Sequence, residues 1–142
     1  MNYTLEDIFQ TLDRRHTREV REKLWNARVG IGGIGGLGSH TAVALARAGI
    51  GRLHIVDDDE VDLSNIHRQA YFLRQVGKKK TEALTEIIND INPYIQVTAD
   101  CCRVTEENIP ELFAKDGIIC EAFDLAENKA AFVNGVLTSL PE

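Results

Sequence analysis

Two stretches of the sequence carry residue types and spacing that bind phosphate. The first, GIGGIGGLGS at residues 30–39, has six glycines in ten positions. The second, HRQAYFLRQVGKKK at residues 67–80, combines arginine with three consecutive lysines. Glycine-rich turns let backbone N–H groups approach phosphate oxygens closely, and arginine and lysine side chains neutralise their charge. Together the two stretches predict a nucleotide site.

The glycine stretch contains the pattern G-x-G-x-x-G in two overlapping registers, one beginning at Gly30 and the other at Gly33. In a dinucleotide fold the first strand ends just before this loop and a helix begins within it. The first register would leave two glycines inside that helix, each costing about 1 kcal/mol relative to alanine. We therefore predict the second register, Gly33, Gly35 and Gly38, followed by a helix over residues 37–48.

Along the rest of the chain, short apolar segments alternate with longer helical patterns. This alternation predicts an α/β, Rossmann-like fold with a mostly parallel sheet and helices on both faces. Residues 1–26 are rich in charge and are expected to form an N-terminal helical extension to the nucleotide-binding domain, residues 27–142. The expected strands cover residues 28–32, 52–56, 95–99 and 117–123, and the expected helices cover residues 37–48, 79–91, 106–114 and 125–139.

The segment after the second strand separates two kinds of nucleotide site. Asp57 lies nineteen residues after Gly38, where a carboxylate can accept hydrogen bonds from ribose hydroxyls. Five of the six residues 57–62 are acidic, which fits either a solvated turn or a site where a cation or an arginine relieves the repulsion. A nicotinamide dehydrogenase would turn quickly into its next helix. This chain instead continues through a long connection containing arginine and lysine, which favours ATP.

Positive charge at the start of the helix over residues 79–91 predicts an anion site. Lysines at a helix N-terminus oppose the macrodipole at a cost of about 0.3–1 kcal/mol each, and a bound phosphate reverses the sign of that effect. Lys80 is our candidate contact, with Arg68 gripping phosphate oxygens in bidentate fashion. Asp124 follows the fourth strand, where its carboxylate could ligate magnesium, cap the next helix together with Glu127, or do both.

Composition and charge narrow the range of partners. The 142 residues are 44% apolar with a formal net charge of −6, a balance that is typical of a globular domain and disfavours nucleic acid as a partner. No apolar run is long enough to cross a bilayer and the first residues lack a signal-peptide pattern, so we expect a cytoplasmic protein. We expect Cys101, Cys102 and Cys120 to be buried, unreactive thiols, without a zinc site or a disulfide.

Several motifs occur in one order that resembles a known family: GIGGLGS, VDDDEVDLSNIHRQ, GKKKTEAL, INPYIQV and EAFD. The chain resembles the ThiF/MoeB family of ATP-dependent sulfur-carrier adenylyltransferases, relatives of the ubiquitin-activating enzymes, with the ThiF branch the nearer match. The resemblance runs from about residue 20 to residue 142, and DLSNIHRQ with the downstream lysine is its most specific part. The family domain continues further, so the resemblance implies that residues 27–142 are its N-terminal part.

The resemblance also implies roles for individual residues. It implies that the loop under the ATP phosphates is formed by Gly33, Gly35, Gly36 and Gly38, and that Asp57 contacts the ribose, with Asp59 close by. It implies that the nucleotide site is also lined by Ser64, Asn65 and Arg68. It further implies that Lys80 binds phosphate and that Asp124 ligates magnesium.

The implied reaction is attack on the α-phosphate of ATP by the C-terminal glycine carboxylate of a small ubiquitin-like, ThiS-like sulfur carrier, for thiamine biosynthesis. A carboxylate is already a nucleophile, so none of the histidines is needed as a base, and the protein aligns the reactants and neutralises charge through Arg68, Lys80 and Mg²⁺ on Asp124. The resemblance further implies a homodimer in which Arg14 or Arg15 reaches the partner's ATP site.

Two other functions remain open from the sequence. One is an NAD-dependent oxidoreductase, which the glycine loop alone permits but for which no hydride-transfer site is evident. The other is a non-catalytic nucleotide-binding scaffold for a ubiquitin-like partner. The joint presence of Arg68, Lys80 and Asp124 favours the enzyme.

Overall fold

The computed structural model describes residues 2–123 and 126–140, which form one parallel sheet with helices on both faces. In chain order the elements are α1 Leu5–Arg15, α2 Arg18–Asn26, β1 Arg28–Gly32, α3 Gly38–Ala48, β2 Arg52–Val56, α4 Lys80–Ile91, β3 Gln96–Asp100, α5 Ile109–Leu112, β4 Ile118–Glu121 and α6 Ala126–Ser139, with 3₁₀ turns at Leu63–Asn65 and Leu73–Gln75. The strands lie in the order β3-β2-β1-β4, and every neighbouring pair is parallel. This confirms the Rossmann-like prediction.

Alternation along the strands divides the core into two clusters. On one face of the sheet, Val29 and Ile31 of β1 pack in a cluster with apolar residues of α3 and α4, such as Ala42 and Leu84. On the other face, Val56 packs with residues of the α5 and α6 regions, among them Phe113 and Phe132. Because successive strand residues point to opposite faces, the two helical layers follow directly from the strand sequence.

Most predicted elements are present, with bounds shifted by a residue or two. The expected helix over residues 106–114 is wrong in length, because only Ile109–Leu112 is helical. Thr105 and Asn108 form a reciprocal turn instead: each side-chain oxygen accepts a hydrogen bond from the other's backbone N–H, at 2.8 and 3.3 Å. The last strand is also shorter than predicted, and the third is one residue later. Side-chain bonding to the backbone thus competes here with helix formation.

The N-terminal helices pack against each other and onto the domain. Arg21 of α2 bonds to Asp13 of α1 at 2.8 Å and lies 4.0 Å from the ring centre of Phe9. Trp25 meets the same Phe9 ring edge-on at 5.0 Å and packs against the main core cluster. In the described part of the chain, no helix is both long and apolar enough to span a membrane.

A candidate nucleotide-binding cavity

The leading site candidate is a cavity of about 290 Å³ at the carboxyl ends of the central strands. The chain leaves β1 through α3 on one face of the sheet, and β4 leads into α6 on the other, so the cavity lies at the point where the winding reverses. Its lining comes from the glycine loop, the acidic turn after β2, the start of α4, the segment after β3, and α6. The polar or glycine lining residues are Gly33, Gly35, Asp57, Asp58, Asp59, Lys80, Cys102, Arg103, Thr105, Glu106 and Asn128.

The glycine loop uses the predicted register. Gly33 has a φ of +87°, the left-handed region that favours glycine. A Cβ on Gly38 would overlap the carbonyl oxygen of Gly33, and a Cβ on Gly36 would lie 2.7 Å from Nη1 of Arg68. The helix α3 begins at Gly38 and ends at Ala48, and Gly49 follows it with a φ of +105° as the left-handed cap. The turn therefore depends on glycine at Gly33 and Gly38, two of the three positions of the second register.

Glycines of the other register serve packing in β1. A Cβ on Gly32 would lie 3.0 Å from the Phe132 ring, and a Cβ on Gly30 would overlap the carboxylate of Asp116. Both positions face the α5 and α6 layer. The overlapping pattern in the sequence thus combines a nucleotide-type turn with a strand that admits close neighbours.

The peptide groups of Ile34, in the middle of the loop, are held from two sides. Its N–H donates to Oδ2 of Asp57 at 2.9 Å, and its carbonyl accepts from the Tyr71 hydroxyl at 2.5 Å. Burial, together with the negative charge of Asp57, raises the pKa of Tyr71, which keeps the phenol protonated as a donor. The other oxygen of Asp57 accepts from the N–H of Asp59 at 2.8 Å. Asp57 therefore orders the loop, and its carboxylate retains lone pairs for ribose hydroxyls.

Lys80 brings a positive charge to the cavity. Its side chain is 7% exposed, and Nζ lies 3.6 Å from Oδ2 of Asp59, whose side chain is 70% exposed. A buried ammonium normally needs close partners for its three protons, so an anion in the cavity would complete its surroundings. Lys78, by contrast, bonds to both carboxylate oxygens of Glu86 at 2.9 Å. Of these two lysines, only Lys80 lines the cavity.

Arg68, Ser64 and Asn65 lie outside the described cavity lining. The exposed Arg68 side chain reaches over Gly36 of the loop, and the Arg68 carbonyl oxygen lies 2.9 Å from Nε2 of His40. Ser64 and Asn65 cap the 3₁₀ turn with Asp62: the Ser64 hydroxyl donates to the Asp62 carboxylate, and the Asn65 side chain accepts from the Asp62 N–H. Their predicted contacts with nucleotide stay a prediction.

Asp124 is the predicted magnesium ligand, whereas the sequence left the acidic turn after β2 open as either a solvated turn or a cation site. Asp124 lies outside the described residues, so its choice between magnesium and helix capping stays a prediction. Asp57, Asp58 and Asp59 place carboxylate oxygens within 4.8 Å of one another beside Lys80. Oxygen donors of this kind are ligands that Mg²⁺ prefers, and magnesium at this cavity stays a prediction.

Sequence reasoning missed the wall formed by Cys102–Glu106 and the contribution of α6. Arg103 is an exposed cation at the cavity, and Thr105 and Asn128 add polar groups. In parallel sheets, ligands bind beyond the carboxyl ends of the strands. This rule was used for Asp57 and Asp124, and using it for β3 as well would have identified Arg103.

The cysteine prediction is corrected for Cys101, which is exposed because it follows the last residue of an edge strand. Cys102 and Cys120 are half-buried, and burial raises the pKa of both thiols. Within residues 2–123 and 126–140 all three are free thiols, in agreement with the expectation of no disulfide. Arg14 and Arg15, the predicted trans-acting arginines, are exposed at the end of α1.

The chain is similar in sequence to several known proteins. The profile of the ThiF family matches residues 10–134. The adenylyltransferase and sulfurtransferase UBA4 of Kluyveromyces lactis is 41% identical over 103 residues, which are 72% of this chain and 23% of the relative. The tRNA threonylcarbamoyladenosine dehydratase of Bacillus subtilis is 42% identical over 97 residues, 68% of this chain and 38% of the relative. The sulfur carrier protein ThiS adenylyltransferase of Escherichia coli is 36% identical over 105 residues, 73% and 42% respectively. The chain thus spans less than half of these relatives.

Solved structures give the same picture of the fold. The tRNA N6-threonylcarbamoyladenosine dehydratase TcdA of E. coli, in complex with ATP, matches with a TM-score of 0.87 and 31% identity over 96% of this chain and 58% of TcdA. E. coli MccB with MccA-N7isoASN matches with a TM-score of 0.75 and 32% identity over 81% of this chain and 34% of MccB.

Proposed function

Since the chain belongs to the ThiF family, we propose that it is an adenylyltransferase that binds ATP in the cavity and joins AMP to a carboxylate of its substrate. The observation that carries the proposal is the buried ammonium of Lys80, which lies beside the glycine loop with one exposed carboxylate at 3.6 Å. The similarity to TcdA, a structure solved with ATP, supports the same ligand.

The chain's own groups account for the chemistry. The substrate carboxylate attacks the α-phosphate, the bond to the β-phosphate breaks, and pyrophosphate leaves. The Gly33–Gly38 loop brings backbone N–H groups under the phosphates, while Lys80 and Arg68 neutralise the charge that shifts to the leaving group. Asp57 receives the ribose. Mg²⁺, which we propose is held by Asp124, adds a further positive charge on the phosphates.

For the substrate, we propose the C-terminal glycine carboxylate of a ThiS-like sulfur carrier, in thiamine biosynthesis. The motif resemblance and the similarity to the E. coli ThiS adenylyltransferase support it. A formal net charge of −6 also disfavours a polyanionic substrate, since nucleic-acid binding relies on neutralising phosphates with basic side chains.

A second candidate substrate is a threonylcarbamoyl group on tRNA, whose threonine carboxylate ATP could activate. The match to TcdA favours it, because it covers 96% of this chain at a TM-score of 0.87. Both candidates need the same first step, attack of a carboxylate on the α-phosphate, so the cavity serves either.

Exchange of labelled pyrophosphate into ATP separates these functions. The full-length protein is tested with a ThiS-like carrier, with the same carrier lacking its C-terminal glycine, and with threonylcarbamoyl-modified tRNA. We expect exchange with the intact carrier only, and we expect Arg68→Ala and Lys80→Ala each to slow it by about tenfold or more.

Other outcomes would contradict parts of the proposal. Exchange with the modified tRNA alone would favour the dehydratase substrate. ATP binding without exchange on any substrate would favour the scaffold. Tight NADH binding without ATP binding would restore the oxidoreductase.

A further inference from the structure

A cluster of four charged side chains, centred on the buried His54, lies on the α5 face of the sheet, outside the groups that the proposed reaction uses. We define the His54 cluster as Arg28, His54, Asp100 and Asp116. The His54 side chain is 1% exposed, with Nδ1 2.6 Å from Oδ2 of Asp116 and Nε2 2.6 Å from Oδ2 of Asp100. Arg28 Nε bonds to the other oxygen of Asp116 at 2.6 Å. Each ring nitrogen faces a carboxylate, so the geometry fits the imidazolium, which donates from both.

The sequence of β1 makes room for this cluster. Asp116 reaches His54 across β1 at Gly30, where any Cβ would overlap its carboxylate. Gly30 is one of the glycines that the nucleotide loop does not need. The cluster thus explains a feature of GIGGIGGLGS that the proposed ATP site leaves unexplained.

Charge and exposure together indicate which hydrogen bond is lost when His54 loses its proton. With His54 protonated, the cluster holds two positive and two negative charges. Glu111 and Lys115, which line the same pocket, add one charge of each sign. Burial lowers the pKa of His54, but the hydrogen bonds and charges of Asp116 and Asp100 outweigh it and raise the pKa above its ordinary value. After proton loss, Asp116 keeps Arg28 and has no exposed side-chain surface, whereas the Asp100 side chain is 42% exposed. Asp100 is therefore the partner that is released.

Asp100 connects the cluster to the nucleotide cavity. It ends β3, its carbonyl accepts from the N–H of Asp57 at 3.3 Å, and the residues after it form the cavity wall Cys102–Glu106. β3 is an edge strand in which no side chain in the range Gln96–Asp100 is fully buried, so packing holds its end weakly. Asn108 holds the rest of the wall: its amide donates to the Arg103 carbonyl at 2.9 Å, and it exchanges hydrogen bonds with Thr105.

We propose that His54 is a positioning residue of the nucleotide cavity: its imidazolium holds Asp100, and Asp100 fixes the wall Cys102–Glu106 where it meets the nucleotide. This inference rests on the proposed function, in which that nucleotide is ATP. Because linkage is reciprocal, protonation of His54 strengthens ATP binding and bound ATP favours the protonated ring.

The first test needs no variant of His54. The ring Cε1–H signal of His54 is titrated by NMR in the full chain, with and without saturating Mg-ATP, and with Mg²⁺ alone as the control. We expect ATP to move the His54 midpoint to higher pH and Mg²⁺ alone to leave it unchanged. ATP binding with an unmoved His54 midpoint would overturn the inference. Absence of ATP binding at every pH would overturn the proposed function, and the inference with it.

A matched pair of variants tests which contact matters. The amide of His54→Gln extends far enough to donate to Asp100, whereas that of His54→Asn is short and reaches Asp116. Both place a neutral amide in the same buried site. At pH 6 we expect the Kd for ATP to rise about fivefold in His54→Asn and to stay within about twofold in His54→Gln.

The pH dependence adds a readout that a purely structural role would not move. The ratio of the His54→Asn and wild-type Kd values cancels the ionisation of ATP itself, and it should fall towards one as pH rises through the His54 midpoint. Equal losses in the two variants, or a ratio independent of pH, would contradict the inference. Where neither variant folds, the NMR titration decides.

Discussion

Single side chains around the cavity divide into those that face it and those that hold the backbone facing it. Lys80 belongs to the first kind, and its position followed from the conflict between positive charge and the helix macrodipole. Tyr71 belongs to the second kind, since its hydroxyl holds the carbonyl of Ile34. Sequence reasoning found Lys80 because its charge is visible in the order of residues. It missed Tyr71 because that bond joins residues 37 positions apart.

Removing the Tyr71 hydroxyl should loosen the glycine loop. Tyr71→Phe keeps the buried ring but leaves the Ile34 carbonyl without its donor, so we expect the free energy of unfolding to fall by about 1–2 kcal/mol and ATP affinity to weaken. Urea denaturation and calorimetric titration measure the two effects. Tyr94→Phe is the matched control, since the Tyr94 hydroxyl donates to a backbone carbonyl at the surface. Equal effects of the two substitutions would contradict the assigned role of Tyr71.

Secondary-structure elements were predicted well where periodicity is strong and poorly where side chains compete for the backbone. α4 appears as expected, because its apolar stripe, which includes Leu84 and Ile88, is buried against the sheet. α5 does not, because Thr105 and Asn108 bond to each other's backbone. The wall of the cavity therefore takes its shape from a turn, in a segment for which the sequence pattern predicted a helix.

The junction of the loop and α3 should tolerate no side chain at Gly38. In Gly38→Ala the added methyl group meets the Gly33 carbonyl oxygen, and the backbone must shift. We expect a loss of about 1–3 kcal/mol in the free energy of unfolding, with weaker ATP binding. Gly117→Ala is the control, since its Cβ would lie at an ordinary 3.8 Å from the nearest atom, and it should change stability by less than about 0.5 kcal/mol. Equal stability of the two variants would contradict the close approach at Gly38.

At the scale of the whole molecule, the strand order brings distant parts of the chain to one edge. The alternation of strands and helices was enough to predict the sheet and the place of the glycine loop within it. The His54 cluster could not be predicted, because it depends on the register that sets Gly30 beside His54 in the sheet. Its four members lie on β1, β2, β3 and the turn before β4, and nothing in their spacing marks them as neighbours.

The proposed homodimer makes a quantitative prediction for mixed proteins. A double variant, Arg14→Ala with Arg15→Ala, lacks the arginine that we propose acts in the partner's site, and Lys80→Ala lacks the lysine of its own site. Each full-length variant alone should exchange pyrophosphate at about one tenth of the wild-type rate or less. A one-to-one mixture that exchanges subunits should regain about one quarter of the wild-type rate, because half of the dimers have one intact site of two. Failure of any mixture to regain activity would contradict action across a dimer.

The central claim, that the cavity holds ATP with Lys80 at its phosphates, is tested most directly by calorimetric titration of Mg-ATP into wild type, Lys80→Ala and Lys78→Ala. Lys78 is the matched control, because it lies two residues away and bonds to Glu86 outside the cavity lining. We predict saturable binding to wild type, a Kd higher by about tenfold or more for Lys80→Ala, and a Kd within about twofold of wild type for Lys78→Ala. Absence of ATP binding by wild type, or equal weakening in the two lysine variants, would contradict the claim.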